Sequence, residues 1–160
     1  MNCKLIPIDK KEDLHISYGY AKSPVGGCFI AWADLGMCFL AFGNPDVSTQ
    51  AISDIQNHWP NAKLMENNAK AGSVINNAFS KANHNLIVSG TDFQIKVWTE
   101  LLNIKAGETI SYEMLAAQIG GKNYTRASAS AIARNNISYL IPCHRVIRKS
   151  GDINQYRWGA

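Results

Sequence analysis

Two apolar runs in the first third of the chain place the strongest constraint on its fold. Residues 27–32 and 37–42 are almost entirely hydrophobic, and the turn-forming segment Ala33-Asp34-Leu35-Gly36 separates them. Two apolar runs on either side of a short turn predict a β-hairpin. We expect this hairpin to contribute to an antiparallel sheet.

Helical patterns follow the hairpin. Residues 47–59 place Ala51, Ile55 and Trp59 at helical spacing, and Pro60 then ends the helix. A second helix is predicted over 69–80 and a short strand over 85–89. Together these elements predict a small α/β scaffold lobe over residues 1–88, which carries no recognisable catalytic pattern.

The remainder, residues 89–160, predicts a mainly helical lobe. Thr91 or Asp92 caps a helix that runs to about Ile104, and Ser111 opens a second helix that ends at Gly120-Gly121. A third helical segment, 124–133, follows after a few residues. Helix, glycine-containing turn and helix form the helix-turn-helix layout that many DNA-binding proteins use.

Composition argues against a membrane or secreted protein. No apolar stretch approaches the about 18 residues that a membrane helix needs, and the N-terminus lacks the apolar core of a signal peptide. The cysteines at 3, 28, 38 and 143 show no paired spacing. We therefore expect a cytoplasmic protein with reduced thiols and no cofactor. Zinc held by Cys3, Cys28 and Cys38 with the histidines at 15, 58 and 84 is a weaker alternative.

Positive charge is concentrated near the C-terminus. The net charge is only +4, but every arginine lies at or beyond position 126. From Lys122 onward the sequence contains seven basic residues and a single acidic residue, Asp152. Arginine suits contacts with phosphates and bases, so this asymmetry indicates a nucleic-acid partner, although a basic segment can also be a solvated face.

The third helical segment has small side chains between two arginines. Small residues let a helix backbone approach either a neighbouring helix or a nucleic-acid groove closely. On the functional interpretation, Arg126 enters the base stack while the rest of the segment lies against the sugar-phosphate wall. The candidate DNA-binding residues are Arg126, Ala127, Ser128, Ser130 and Arg134.

Cys143 lies in the segment Ile141-Pro142-Cys143-His144-Arg145-Val146 and is the candidate nucleophile. Pro142 restricts the backbone before it, and the cations that follow predict a lowered thiol pKa. The competing interpretation is a buried structural cysteine.

These residues together resemble the O6-alkylguanine-DNA alkyltransferases, also called methylated-DNA-protein-cysteine methyltransferases. The resemblance is strong from about Ser89 to Ala160 and thinner in the N-terminal lobe. It rests on Phe93-Gln94-x-x-Val97-Trp98, Gly107-Glu108-Thr109-Ile110-Ser111-Tyr112, Arg126-Ala127, Asn135, Ile141-Pro142-Cys143-His144-Arg145-Val146 and Tyr156-Arg157-Trp158-Gly159.

The resemblance implies a single-use repair protein that transfers an alkyl group from O6 of guanine, and from O4 of thymine, to Cys143. It assigns His144 as the base and Tyr112 as the residue that helps to protonate the departing guanine. Arg126 resembles the arginine that replaces the flipped nucleotide in the stack. The implied partner is double-stranded DNA bound through its minor groove, by a monomer with a winged-helix-like helix-turn-helix.

The resemblance also implies a substrate pocket. Asn135 resembles a hinge asparagine that bonds local backbone, and Val146 would offer its carbonyl to the guanine amine. Tyr156 and the backbone of Arg157 would form a wall. Ser138 and Tyr139 lie on the pocket-side loop, where bulk limits the size of the alkyl group.

The family also has a glutamate, on a helix beyond the Tyr-x-x-Gly segment, that orients the histidine. The sequence ends at Ala160 before that helix, so we expect slower transfer if no other carboxylate reaches His144. Two alternatives follow. The chain could bind alkylated DNA without repairing it, as alkyltransferase-like proteins do, or it could be the alkyl-accepting part of a larger adaptive-response regulator.

Overall fold

The structure is a computed structural model that describes residues 2–147. The chain divides into two compact units, an N-terminal unit (Met1–Ser89) and a C-terminal unit (Gly90–Ala160). Within the described residues, no helix has both the length and the apolar character needed to cross a membrane.

The N-terminal unit is built around a six-stranded sheet. In chain order its elements are β1 (Cys3–Pro7), β2 (His15–Ser23), β3 (Gly26–Ala33), β4 (Gly36–Phe42), α1 (Val47–His58), β5 (Lys63–Glu66), α2 (Asn68–Ala78) and β6 (His84–Val88). The strand order is β1-β6-β4-β3-β2-β5. The α/β class predicted from the sequence is confirmed.

The sheet is mixed, which differs from the antiparallel sheet that we expected. β2, β3 and β4 are antiparallel neighbours, so the predicted hairpin forms the centre. β6 pairs in parallel with both β1 and β4, and β5 pairs in parallel with β2. Helix α1 joins β4 to β5, and α2 joins β5 to β6. Each helix carries the chain back along the sheet, so the strand that follows it runs in the same direction as the strand before it.

Aromatic and aliphatic side chains from β3 and β4 form the core of this unit. Phe29 and Phe39 are fully buried and meet edge to face, with their ring centroids 5.7 Å apart. Ile55 and Trp59 at the end of α1 and Ile75 on α2 are also buried. Burial of these helix faces explains the apolar spacing that predicted them.

The C-terminal unit is mainly helical. In chain order it contains α3 (Asp92–Leu102), β7 (Ile110–Ser111), α4 (Tyr112–Ile119), the 3-10 turn η1 (Lys122–Tyr124), α5 (Thr125–Ala133), the 3-10 turn η2 (Cys143–Arg145) and β8 (Val146–Ile147). α3 packs against α4 and α5. The helix-turn-helix layout is present in α4, η1 and α5, whereas the wing stays a prediction.

Local signals in the sequence explain where these helices begin. Thr91 and Gln94 form a reciprocal capping box at the start of α3. The Ser111 hydroxyl accepts the Met114 amide at 3.1 Å and caps α4. Gly121 then adopts φ +141°, a conformation that favours glycine, and the chain turns into η1.

One buried contact joins α3 to α5. The indole nitrogen of Trp98 donates to the Ala131 carbonyl at 2.9 Å, and both residues are buried. This bond satisfies the polar edge of a tryptophan that otherwise lies among apolar side chains. It fixes α5 on the surface of α3 through an atom near the C-terminal end of α5.

Candidate active site and nucleic-acid interface

Cys143 begins the short turn η2, between Pro142 and β8. The Cys143 amide donates to the Ile141 carbonyl at 2.8 Å, and the Arg145 amide donates to the Pro142 carbonyl at 3.0 Å. Cys143 is half-buried and His144 is exposed. The turn therefore holds a partly accessible thiol in a backbone that is hydrogen-bonded on both sides.

A two-stranded parallel pairing brings Tyr112 into the neighbourhood of this turn. Ile110 is paired with Val146, and Ser111 with Ile147, so the start of α4 lies beside the strand that follows η2. Tyr112 is the first residue of α4 and only 8% of its surface is exposed. Val146 is fully buried. Of the predicted site residues, Val146 thus lies on the strand pair beside the Cys143 turn, and Tyr112 follows that pair directly in the chain.

Asn135 joins the end of α5 to the segment that precedes Cys143. Its side-chain amide donates to the Ile141 carbonyl at 3.0 Å, and its side-chain oxygen accepts the Ile137 amide at 2.9 Å. The residue is 4% exposed. Since each bond satisfies a buried backbone group, Asn135 supports the conformation of the whole 135–141 loop.

Burial raises the pKa of the Cys143 thiol above the ordinary value of cysteine. Hydrogen bonds from the Asn135 side chain and from the backbone of Cys143 and His144 oppose this effect without reversing it. We expected the neighbouring cations to lower this pKa, but loss of solvent around the sulfur is the largest effect and raises it. Arg148 and Lys149, two of those cations, lie outside the described residues. At neutral pH the resting group is a thiol that needs a base.

The arginine of this turn is engaged elsewhere. The Arg145 guanidinium donates to the carbonyl of Ile104 at 2.5 Å, just beyond the end of α3. This bond ties η2 to the segment that follows α3. It is a structural contact that the sequence did not indicate.

His144 is positioned to remain a neutral base. Partial burial lowers the pKa of the imidazole, and the positive charge of Arg145 lowers it further. The ring of Tyr139 lies nearly parallel to the imidazole, at a centroid distance of 6.4 Å and an interplanar angle of 9°. An imidazole with a lowered pKa is uncharged at pH 7 and able to accept a proton.

The outer face of α5 carries most of the predicted DNA-binding residues. Arg126, Ala127, Ser130 and Arg134 are exposed, and their spacing places them on one side of the helix. Ser128 differs from our expectation. It is 0% exposed and belongs to the inner face with Ala131 and Ile132, so its side chain is not available to a nucleic acid.

Two predicted pocket residues, Tyr156 and Arg157, lie outside the described residues. The other cysteines offer little competition for the role of nucleophile. Burial raises the pKa of both Cys28 and Cys38 to about 12. Cys3, whose pKa burial also raises, pairs in register with His84. Across residues 2–147, no three His, Cys, Asp or Glu side chains lie close enough together to hold a metal ion.

Known proteins share both the sequence and the fold. Residues 92–160 match the family model described as 6-O-methylguanine DNA methyltransferase, DNA binding domain. The bifunctional transcriptional activator/DNA repair enzyme Ada of Escherichia coli is 35% identical over 155 residues, which cover 92% of this chain and 43% of Ada. A methylated-DNA--protein-cysteine methyltransferase of Kluyveromyces lactis is 51% identical over 70 residues, 44% of this chain and 37% of that protein. The chain therefore spans less than half the length of these relatives.

Solved structures extend the likeness to both units. Mycobacterium tuberculosis OGT, in a crystal structure with DNA, has a TM-score of 0.65 and 29% identity, covering 89% of this chain and 85% of that one. The O6-methylguanine-DNA methyltransferase of Pyrococcus kodakaraensis has a TM-score of 0.63 at 22% identity, over 90% and 92% of the two chains, which shows a common fold. Residues 92–160 therefore match the DNA-binding domain of the O6-methylguanine DNA methyltransferases.

Proposed function

We propose that this chain repairs double-stranded DNA by moving an alkyl group irreversibly from O6 of guanine, and from O4 of thymine, to the sulfur of Cys143. The observation that carries the proposal is the half-buried Cys143 in a turn fixed by Asn135 and followed directly by an exposed, neutral His144. The family match over 92–160 and the methyltransferase activity for which the Kluyveromyces lactis relative is named support the same reaction.

The proposed step is a displacement at the alkyl carbon. His144 accepts the thiol proton through a water molecule, and the thiolate forms a sulfur–carbon bond. The carbon–oxygen bond breaks, its electron pair goes to guanine O6, and the departing base takes up a proton. Because an alkyl ether is a poor electrophile, the thiolate, the carbon and the leaving oxygen must be aligned before reaction.

We assign Tyr112 to the leaving-group side of the reaction. Its position at the start of α4, next to the strand that follows η2, supports this role. Its phenol would contact the phosphate beside the flipped nucleotide and assist protonation of the departing guanine. Val146 and Cys143 would offer backbone carbonyls to the guanine amine. The Cys143 carbonyl already accepts the Val146 amide, and its second lone pair is the one required.

The outer face of α5 is the proposed DNA surface, entering the minor groove. Arg126 would fill the space left by the flipped nucleotide, while Ala127 and Ser130 allow close approach and Arg134 contacts phosphate. Tyr156 and Arg157 complete the proposed pocket. On this assignment the C-terminal unit carries DNA binding and catalysis, and the N-terminal unit is the scaffold. A cytoplasmic monomer is the form that we expect.

Stoichiometry tests the proposal. The protein is incubated with an excess of duplex DNA containing O6-methylguanine, and the loss of the lesion is measured by digestion and chromatography. We expect one lesion lost per protein molecule and none for Cys143→Ala. Loss of many lesions per molecule would contradict the single-use reaction. Tight binding without any loss would instead support the lesion-binding alternative.

Arg126 offers a separate test of the flipping step. Arg126→Ala should slow repair of duplex DNA much more than reaction with a free O6-benzylated guanine base, because only the duplex requires flipping. Arg134→Ala is the matched control, since it removes an exposed arginine from the same face and should mainly weaken salt-dependent binding. Equal losses on the duplex and the free base would argue against the role of Arg126.

A further inference from the structure

Tyr139 has an unusual backbone conformation. Its φ is +71°, and among residues 2–147 it is the one non-glycine residue with positive φ. Aromatic residues rarely occupy this region, because the Cβ atom approaches the backbone closely. Such a conformation persists only where the surrounding structure fixes it, and it is concentrated at functional sites.

Buried neighbours on both sides impose this conformation. Ile137 and Leu140 are 1% and 3% exposed, and they anchor the loop before and after Tyr139. The Ile141 amide donates to the Ile137 carbonyl at 3.1 Å, and the Leu140 amide donates to the Ser138 carbonyl at 2.8 Å. Tyr139 itself is 39% exposed. The loop therefore turns one large aromatic side chain outward between two buried aliphatic ones.

The outward ring lies beside the imidazole of His144 and nearly parallel to it. The centroid separation of 6.4 Å and the interplanar angle of 9° describe an offset parallel stack within the range of aromatic pairs. His144 is otherwise exposed, so in the absence of the stack its side chain would be freer to rotate about χ1 and χ2.

We infer that Tyr139 is a positioning residue, whose ring holds the His144 imidazole in the orientation that accepts the proton of Cys143. This inference rests on the proposed function of Cys143 and His144. The resemblance places Tyr139 only on the pocket-side loop, so a role toward His144 is new. Among residues 2–147, Arg145 is the charged group that acts on His144, and Cys143 precedes it in the chain. Arg145 has its own contact at the Ile104 carbonyl, so it leaves the ring face to Tyr139.

The stack on His144 is a contact of the Tyr139 ring. Tyr139→Phe keeps the ring and should keep the stack. Tyr139→Asn removes the ring, and asparagine tolerates positive φ better than other non-glycine residues, so the loop can keep its shape. These two variants separate the aromatic surface from the backbone conformation.

The first measurement is spectroscopic and does not need DNA. The ring protons of His144, assigned by comparison with His144→Gln, should move in the proton NMR spectrum of Tyr139→Asn because they lose the ring current of Tyr139. They should stay near their original positions in Tyr139→Phe. Unchanged His144 signals in Tyr139→Asn would overturn the stack, whether or not the protein repairs DNA.

The second measurement is the single-turnover rate of alkyl transfer from a free O6-benzylated guanine base. Tyr139→Asn should reduce this rate by about tenfold. A positioned general base typically contributes about 100-fold or more, and a base that remains present but is less well oriented should lose only part of that contribution. Tyr139→Phe should restore most of it. In a His144→Gln background, Tyr139→Asn should have little further effect, because the ring acts through the imidazole.

An equal loss in the presence and absence of His144 would overturn the positioning role and would indicate direct contact with the substrate. Failure of the proposed function gives a different result. In that case the unmodified protein transfers no alkyl group at all, while the His144 signals still report whether the stack exists.

Discussion

Removal of the Asn135 side chain should destabilise the C-terminal unit and also raise the pKa of the Cys143 thiol. In Asn135→Ala the buried Ile137 amide loses its acceptor at 2.9 Å, and an unsatisfied buried donor costs about 1–3 kcal/mol. The Ile141 carbonyl loses a donor at 3.0 Å but keeps the Cys143 amide, so its additional cost is about 1 kcal/mol. The expected loss is therefore about 2–4 kcal/mol.

Urea denaturation followed by tryptophan fluorescence measures this loss, and amide hydrogen exchange at Ile137 localises it. The exposed Asn76 on α2 provides the control, since Asn76→Ala should change the free energy of unfolding by no more than about 0.5 kcal/mol. Asn135→Ala should also raise the pKa of Cys143 further, because the thiolate loses one hydrogen-bond donor. If the free energy of unfolding of Asn135→Ala lay within about 0.5 kcal/mol of that of the original protein, the role of Asn135 in supporting the loop would be refuted.

Three further predictions concern Ser128, Tyr139 and the pH dependence of the site. Ser128→Ala should stabilise the protein by about 0.5–1 kcal/mol in the same urea assay, because the buried hydroxyl has no partner among residues 2–147 and alanine favours the helix. A clear loss of stability would mean that the hydroxyl is satisfied. Tyr139→Gly should be about 1 kcal/mol more stable than Tyr139→Ala, since only glycine adopts φ +71° without strain; equal stabilities would argue against strain. Alkylation of Cys143 by iodoacetamide should require a higher pH than alkylation of an unburied cysteine, because burial raises the pKa of the Cys143 thiol. Alkyl transfer should fall only below about pH 6.5, as the His144 imidazole, whose pKa is lowered, becomes protonated. Loss of transfer beginning well above pH 7 would contradict the neutral base.

Local sequence signals predicted the helices well. The capping box at Thr91, the cap at Ser111 and the glycines after Ile119 placed the starts of α3 and α4 and the end of α4. These signals act over one helical turn, so they can be recognised from the local sequence alone. The central hairpin was equally clear, because β3 and β4 are continuous apolar runs.

Strand pairing was harder to predict from the sequence. β5 is short and mostly exposed, and β1 is a five-residue strand at the sheet edge, so neither carries a strong alternating pattern. The parallel pairing of β1 with β6 joins residues about 80 positions apart in the chain. Such contacts depend on how helices return the chain, which composition and spacing do not encode.

The candidate site shows the same division. Its motif predicts roles for Cys143, His144, Tyr112 and Asn135 that stay predictions, whereas the direction of the Cys143 pKa depends on burial, which the motif does not show. The helical period could have separated Ser128 from the exposed face of α5, because it lies one turn before the buried Ala131 and Ile132. Nothing in the sequence indicated the stack of Tyr139 on His144, which depends on a backbone conformation that tyrosine rarely adopts.

The central claim is that Cys143 itself becomes the alkyl acceptor. The most direct test is mass spectrometry of the intact protein and of its proteolytic peptides after reaction with DNA containing O6-methylguanine. We predict a gain of one methylene unit per molecule, confined to the peptide that contains Cys143 and absent from Cys143→Ala. No gain in mass, or a methyl group on Cys3, Cys28 or Cys38, would contradict the account.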